Sequence, residues 1–155
     1  MICRQPSLTL HGVIDGPDPF QLQRFVEAQD GVFETALEEL RAGHKQSHWT
    51  WFIFPQFAGL GRSPTAQYYA IRSMHEARAY LAHPLLGDRL RLAVEAIAAS
   101  ASSRTPNEIL GDIDAIKLRS SLTLFEAASG DPIFAEALDR LFGSPDEATL
   151  ALLGR

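Results

Sequence analysis

Apolar positions along this chain recur at the spacing of helices. Phe20, Leu22, Phe25 and Val26 mark one amphipathic stretch, and Phe33, Ala36, Leu37 and Leu40 mark a second that stops at Gly43. The punctuation agrees. Asp18-Pro19, Ser63-Pro64, Thr105-Pro106, Asp131-Pro132 and Ser144-Pro145 each put an N-cap type residue directly before proline. Proline at the first helical position gives up a donor that would have had no helical acceptor, and the residue before it accepts from the next free amides. Thr105…Glu108 and Ser144…Glu147 add the acid that completes a capping box, as does Ser73…Glu76 without a proline. Further helices are predicted over 64–72, 74–82, 85–100, 106–110, 112–128, 132–142 and 145–153, with Gly43, Gly111, Gly143 and Gly154 as stops.

Residues 48–54 are the ambiguous stretch. Trp49, Trp51 and Ile53 alternate as in a strand, while Ser47 as cap and Pro55 as terminator suit a short helix; a lone strand would lack a partner, so a helix is predicted. There is no parallel βαβ rhythm and no internal repeat. The expected fold is all-α: a compact, multi-helix single domain over 18–155 with about eight to ten short helices, preceded by a loose arm over 1–17. Residues 101–105 read as a linker between helices.

Composition fits this picture. A chain of 155 residues with 46% hydrophobic and 21% charged residues can bury a real core. Its net charge is -5, and two lysines and twelve arginines are scattered along it, so no basic stripe offers the counterion release that drives nucleic-acid binding. Cys3 has no internal disulfide partner, which suits a reducing compartment, and the start lacks a signal-peptide pattern. No stretch approaches the length of a membrane span. A soluble cytoplasmic protein without nucleic-acid or membrane partners is expected.

The densest chemistry lies in His48-Trp-Thr-Trp-Phe-Ile-Phe-Pro-Gln56 and its continuation to Tyr69. Seven of the fourteen aromatic residues fall there, so the segment must be largely buried, yet it carries His48, Gln56, Arg62, Ser63 and Gln67, which need partners. Aromatic walls with a few convergent polar groups describe a small-molecule pocket; core packing with helix-end capping is the plainer alternative. Gly59-Leu-Gly-Arg-Ser-Pro64 leads into a helix start, where free amides and Arg62 could converge on a phosphate or carboxylate. It has neither the glycines of a dinucleotide fingerprint nor the Gly-Lys-Ser/Thr of a P-loop, and a tight turn would use the same residues. The 112–128 helix is apolar on almost every side, with Ile113, Ile116, Leu118, Leu122, Leu124 and Phe125, so it is expected to be central. On it Lys117, Ser120, Ser121 and Leu124 share one stripe. A lysine facing the aromatic segment there would need an anion, which Asp114 would also supply.

Other constellations are poor. His44 and His48 have the spacing of a helical zinc pair, but no Glu follows His44 and Gly43 ends the helix beside it, so no metal site is expected. There is no Gly-x-Ser-x-Gly elbow, and Lys117 with Ser120 or Ser121 lacks an oxyanion hole.

Taken in order, Asp18-Pro-Phe…Leu22-Gln-Arg-Phe25, His48–Gln56, Leu60-Gly-Arg-Ser63, Glu76-Ala-Arg-Ala-Tyr-Leu-Ala-His-Pro84 and Lys117-Leu-Arg-Ser-Ser-Leu-Thr-Leu-Phe125 resemble a bacterial family, domain of unknown function number 1810, over roughly residues 18–153. The resemblance implies a mainly α-helical single domain, and a meeting of His48, Trp51, Gln56, Arg62, Ser63, Lys117, Arg119, Ser120 and Ser121 at one site. It implies no established activity or cofactor. Some relatives carry the label calpastatin, a disordered calpain inhibitor, whereas this composition reads as compact.

The functional expectation is a pocket for a small anionic or nucleotide-like ligand. Trp51 would stack, Arg62 and Lys117 would contact the anion, and Gln56, Ser63, Arg119, Ser120 and Ser121 would line and orient. His48 is the candidate general acid–base. The alternative is a protein–protein interaction or regulatory module without catalysis, recognisable by an exposed apolar patch.

Overall fold

The computed structural model describes Ser7–Leu8 and residues 14–155. The arm expected over 1–17 therefore lies largely outside the described residues, as do Cys3 and His11. Within it, β1 (Ser7–Leu8) and β2 (Ile14–Asp15) pair antiparallel. The remaining elements among the described residues are ten helices: α1 (Gln23–Gln29), α2 (Phe33–Ala42), α3 (Thr50–Ile53), α4 (Pro64–Tyr68), α5 (Met74–Ala82), α6 (Leu86–Ser100), α7 (Pro106–Leu110), α8 (Asp112–Ser129), α9 (Pro132–Leu141) and α10 (Glu147–Leu152). The domain is all-α as expected. Among the described residues, no helix is long and apolar enough to cross a membrane.

Two helices organise the packing. α6 lies against α2, α5 and α9, while α8 lies against α3, α5, α7, α9 and α10. Between them runs a spine of fully buried rings. Phe25 meets Tyr80 edge-on at 5.1 Å, Tyr80 meets Phe125 at 5.3 Å, and Phe125 meets Phe134 at 6.0 Å. This ties α1 through α5 and α8 to α9, and such contacts add to the area that the rings bury. The one polar atom of the spine is satisfied: Gln29 Nε2 donates to the Tyr80 hydroxyl at 3.2 Å and to the Phe52 carbonyl at 2.7 Å.

Most helix starts follow the sequence signals. Ser63, Ser73, Thr105 and Asp131 all cap through their side chains, and Thr105 with Glu108 forms a complete capping box. Two starts move. Asp18 accepts from the amides of Leu22 at 2.8 Å and Gln23 at 2.9 Å, but Gln21 adopts a left-handed φ of 55°, so the helix begins at Gln23 rather than after Pro19. Ser144 does not cap α10, because Arg119 takes its carbonyl at 3.0 Å and its hydroxyl; Asp146 caps instead, accepting from the Thr149 amide at 3.0 Å.

Two further expectations need correction. The helix predicted over 64–72 ends at Tyr68, since the chain leaves to run beside Gln56–Ala58. There the Ala58 amide donates to Ile71 O and the Ile71 amide to Gln56 O, both at 2.8 Å, closing a single parallel bridge. α8 is also less central at its start than its apolar sequence suggests, because Ile113 and Ile116 are 72% and 61% exposed. Burial over its whole circumference begins only after Lys117, where α5, α9 and α10 close around it.

At the start of α6 the cap is a histidine. His83 Nδ1 accepts from the amides of Leu85 at 3.0 Å and Leu86 at 3.2 Å, while its buried Nε2 has no partner among the described residues. Burial pushes the His83 pKa below its ordinary value, with Asp18 working against the shift and Arg89 with it.

Candidate functional site

The aromatic segment begins where Gly43, at a φ of 73°, ends α2 and turns the chain back. Glu39 then gathers the returning strand. Its carboxylate accepts from the amides of Gln46 at 2.6 Å and Ser47 at 2.9 Å, from the Ser47 hydroxyl, and from Trp49 Nε1 at 3.1 Å. Burial works to raise the Glu39 pKa, but these donors outweigh it and hold the carboxyl down to about 2. Beyond Trp49 the contacts alternate. Lys45 Nζ lies 5.3 Å from the Trp49 ring centroid and 2.9 Å from Asp114 Oδ2; Lys117 Nζ lies 3.3 Å from Asp114 Oδ1 and 4.1 Å from the Trp51 centroid. Burial alone would raise the Asp114 pKa, and the two ammonium groups hold it below its ordinary value. This ladder uses both lysines and both tryptophans of the chain. With Glu39 and Asp114 it has two charges of each sign and sums to zero. His48 stands outside it, exposed and without a partner among the described residues.

The other polar residues of α8 face a second place. Ser120 Oγ donates to Ile116 O at 3.0 Å and to Asp146 Oδ2 at 3.2 Å, Thr123 Oγ1 accepts from the Asp146 amide at 2.8 Å, and Arg119 holds Ser144. Together they fasten the α9–α10 turn. Ser121 is different. Ser120, Thr123 and Ser129 return their hydroxyls to the carbonyl four residues back, whereas the buried Ser121 Oγ and the buried Thr50 Oγ1 on α3 have no partner among the described residues.

A third place is a cleft of about 200 Å³ lined by Gln56, Phe57, Ala58, Gly59, Gly61, Ala66, Gln67, Ala70 and Arg72. One wall is the glycine loop beside α4, and the other is the segment 68–72, which leaves α4 and pairs with Gln56–Ala58 through the parallel bridge. A Cβ on Gly61 would collide with that of Ala66, and Gly59 has a φ of 106°, so glycine is required at both positions. The loop amides of Gly59, Leu60, Gly61 and Arg62 donate to no acceptor among the described residues. The Gln56 carboxamide and the Arg72 guanidinium are equally uncommitted. Gln67 donates from Nε2 to Arg62 O at 2.9 Å, leaving its own oxygen free to accept. Arg62 and Ser63 border this loop without lining the cleft; the Arg62 and Arg72 side chains are both exposed, and Ser63 Oγ caps α4 by accepting from Ala66 N at 3.1 Å. Two wider grooves, of about 480 Å³ between α2 and α6 and about 270 Å³ between α6 and α9, are more open. Among the described residues, no group of three or more His, Cys, Asp or Glu could hold a metal ion.

The family described as proteins of unknown function, DUF1810, matches residues 19–153. The chain belongs to the DUF1810 family. It is also similar to the crystal structure of the conserved hypothetical protein Rv1873 from Mycobacterium tuberculosis, with 46% identity and a TM-score of 0.86 over 89% of this chain and 99% of that one. No curated protein matches it.

In this DUF1810 protein seven of the nine residues singled out from sequence thus occupy three places: Trp51 and Lys117 in the ladder, Arg119 and Ser120 at the α10 turn, and Gln56 in the cleft with Arg62 and Ser63 at its border; His48 and Ser121 belong to none of them. Sequence reasoning missed Arg72, which lines the cleft, and two buried residues behind it. Arg24 is 9% exposed and Glu76 4% exposed, and they pair at 2.6 Å. The guanidinium has five N–H donors, and all five are used. Nε donates to Tyr68 O at 2.9 Å, Nη1 to Phe20 O at 2.6 Å and Gln21 O at 2.9 Å, and Nη2 to Ala70 O at 3.0 Å and Glu76 Oε2. Glu76 Oε1 accepts from the Arg72 amide at 3.3 Å. A sequence signal existed: Arg24 falls four residues after Phe20, on the face that α1 buries.

Proposed function

We propose that this DUF1810 protein binds a small anionic ligand in the cleft between Gln56 and Arg72. The supporting observation is the uncommitted Arg72 guanidinium and Gln56 carboxamide in its lining, beside a glycine loop over 59–62 whose amides have no acceptor among the described residues. Successive free amides and a guanidinium favour an anion, and Arg binds carboxylate and phosphate alike through two parallel hydrogen bonds. A volume of about 200 Å³ lies below the roughly 300–1,000 Å³ of sites for drug-sized ligands. It suits a compact acid or a phosphate group better than a dinucleotide. Gln56 and Gln67 offer both donors and acceptors to the rest of the ligand, Phe57 an apolar wall, and Arg62 a second positive charge at the rim. The reading is one of binding, and it gives His48 no role.

A thermal-shift series with inorganic phosphate, acetate and small dicarboxylates tests it. A ligand at about 100 times its Kd adds roughly 2.7 kcal/mol, which for a domain of this size raises Tm by about 5–10 °C. The shift is expected to vanish in Arg72→Ala and to shrink in Gln56→Ala. A flat response to the whole series would defeat the proposal.

One observation favours the alternative, an interaction module. Ile113 and Ile116 stand exposed on α8, one turn apart. On that reading Ile116→Asp abolishes a complex and leaves the thermal-shift response intact.

A further inference from the structure

We infer that Arg24 and Glu76 are the positioning residues of the cleft, a buried ion pair whose work is to hold the wall that carries Arg72; the inference rests on the binding reading above. Between the end of α4 and the start of α5 the chain has no helix to satisfy its carbonyls. Those of Tyr68 and Ala70 receive no backbone donor, and each takes its hydrogen bond from Arg24. The Arg72 amide has one acceptor, a Glu76 oxygen. Three successive stretches of wall backbone, at 68, 70 and 72, are therefore fastened from behind by the two side chains of one ion pair. On the far side the same wall presents Ala70 and the Arg72 side chain to the cleft.

The energetics point the same way. Burying two ions is costly, and a pair of well-packed apolar residues is often at least as stable. The geometry here offsets that cost through complete hydrogen bonding rather than through the pair alone, and nearly every bond ends on backbone. Gln21 belongs to the same device. It is the one non-glycine with positive φ among the described residues, and its carbonyl faces Arg24 Nη1 at 2.9 Å. Asn, Asp and Gly tolerate that conformation better than Gln does, so the turn is held by the guanidinium it serves. An apolar pair could fill the space but could not place an amide and two carbonyls, and the direction of the Arg72 side chain depends on them.

Arg24→Lys keeps the charge and loses the fork; Glu76→Gln keeps an oxygen for the Arg72 amide and leaves Arg24 without a counter-ion. Phe134→Leu, on the far end of the aromatic spine, serves as a control for general loss of stability. Hydrogen exchange at the Ala58, Ile71 and Arg72 amides of the unliganded protein reads the wall directly. In Arg24→Lys and Glu76→Gln these amides are expected to exchange about tenfold faster than in Phe134→Leu compared at equal distance below its Tm. Inorganic phosphate should bind about tenfold more weakly, the equivalent of one lost charge-assisted hydrogen bond. If exchange at the three amides is no faster than in the control, or if phosphate binds Arg24→Lys as it binds the wild type, the inference is overturned. Should the wild type bind neither phosphate nor carboxylates, the binding reading falls, and exchange alone then decides whether the pair holds the wall. Should Arg24→Lys fail to fold, Glu76→Gln carries both measurements.

Discussion

The tryptophan–lysine ladder and the Gln56–Arg72 cleft are neighbours in sequence and opposites in chemistry. In the ladder every charge has found a partner inside the protein: Glu39 takes four donors, Asp114 takes two lysines, and each lysine also covers an indole. In the cleft, a few residues on, a guanidinium and a carboxamide have no partner among the described residues, and neither have the amides of the adjoining glycine loop. A polar network that closes on itself fixes a fold; one left open has capacity for something else. Richness in polar and aromatic residues is common to both, so it does not distinguish them. Satisfaction does.

The contrast can be broken most forcefully at Trp49, which is fully buried. Trp49→Ala is expected to cost about 3–5 kcal/mol, seen as a large fall in the urea midpoint. Asp114→Ala leaves two ammonium groups facing each other in a mostly dry site and should cost about 2–3 kcal/mol, whereas Lys117→Met, which keeps the stem over Trp51, should cost less than about 1. Equal losses for the two would mean that the ladder does not act as a charge network.

Acid sharpens the comparison next. Glu39 has its pKa depressed to about 2 from 4.5, so its contribution is whole above pH 4.5 and drains away as pH falls toward about 2. His83 is held neutral by burial and by its capping role. Its contribution is whole above its ordinary value of 6.5 and declines as pH falls below it, because protonated Nδ1 no longer accepts from Leu85 and Leu86. Thermal melts from pH 7 to pH 3 should therefore descend in two steps, with Glu39→Gln shrinking the lower, to which Asp114 also contributes, and His83→Asn removing the upper. A single step unaffected by His83→Asn would refute its assignment. Thr105→Ala, which removes the capping box of α7, should cost about 1 kcal/mol. The smallest effect belongs to the cleft: Arg72→Ala should change stability by less than about 0.5 kcal/mol while removing the response to anions. A variant that damaged both would make Arg72 structural and erase the distinction.

The sequence carried the fold well because helix ends are local. A capping side chain and its proline lie within a few residues of the amides they serve, and Ser63, Thr105 and Asp131 needed nothing more. Ser144 failed as an exact start because the distant Arg119 occupies it, and Asp18 because Gln21, its carbonyl held by Arg24, turns left-handed before the helix begins. The site was less legible for the same reason. Lys117, Ser120 and Ser121 do share a stripe of α8, but what each meets comes from α3, from α10, or from nothing. Helical spacing is silent on that. Glu76 illustrates the limit best: read as the acid of a capping box, it has its own amide bonded to Ser73 at 3.0 Å, while its carboxylate serves Arg24 and Arg72.

The ladder also fixes what an optical experiment on this protein will see. Both indoles sit in it, each beneath an ammonium group, and neither lines the cleft. Intrinsic fluorescence is thus a private channel for one region: breaking Lys45 or Lys117 away should change the brightness and colour of the emission, and an anion settling against Arg72 should leave the spectrum dark to its arrival.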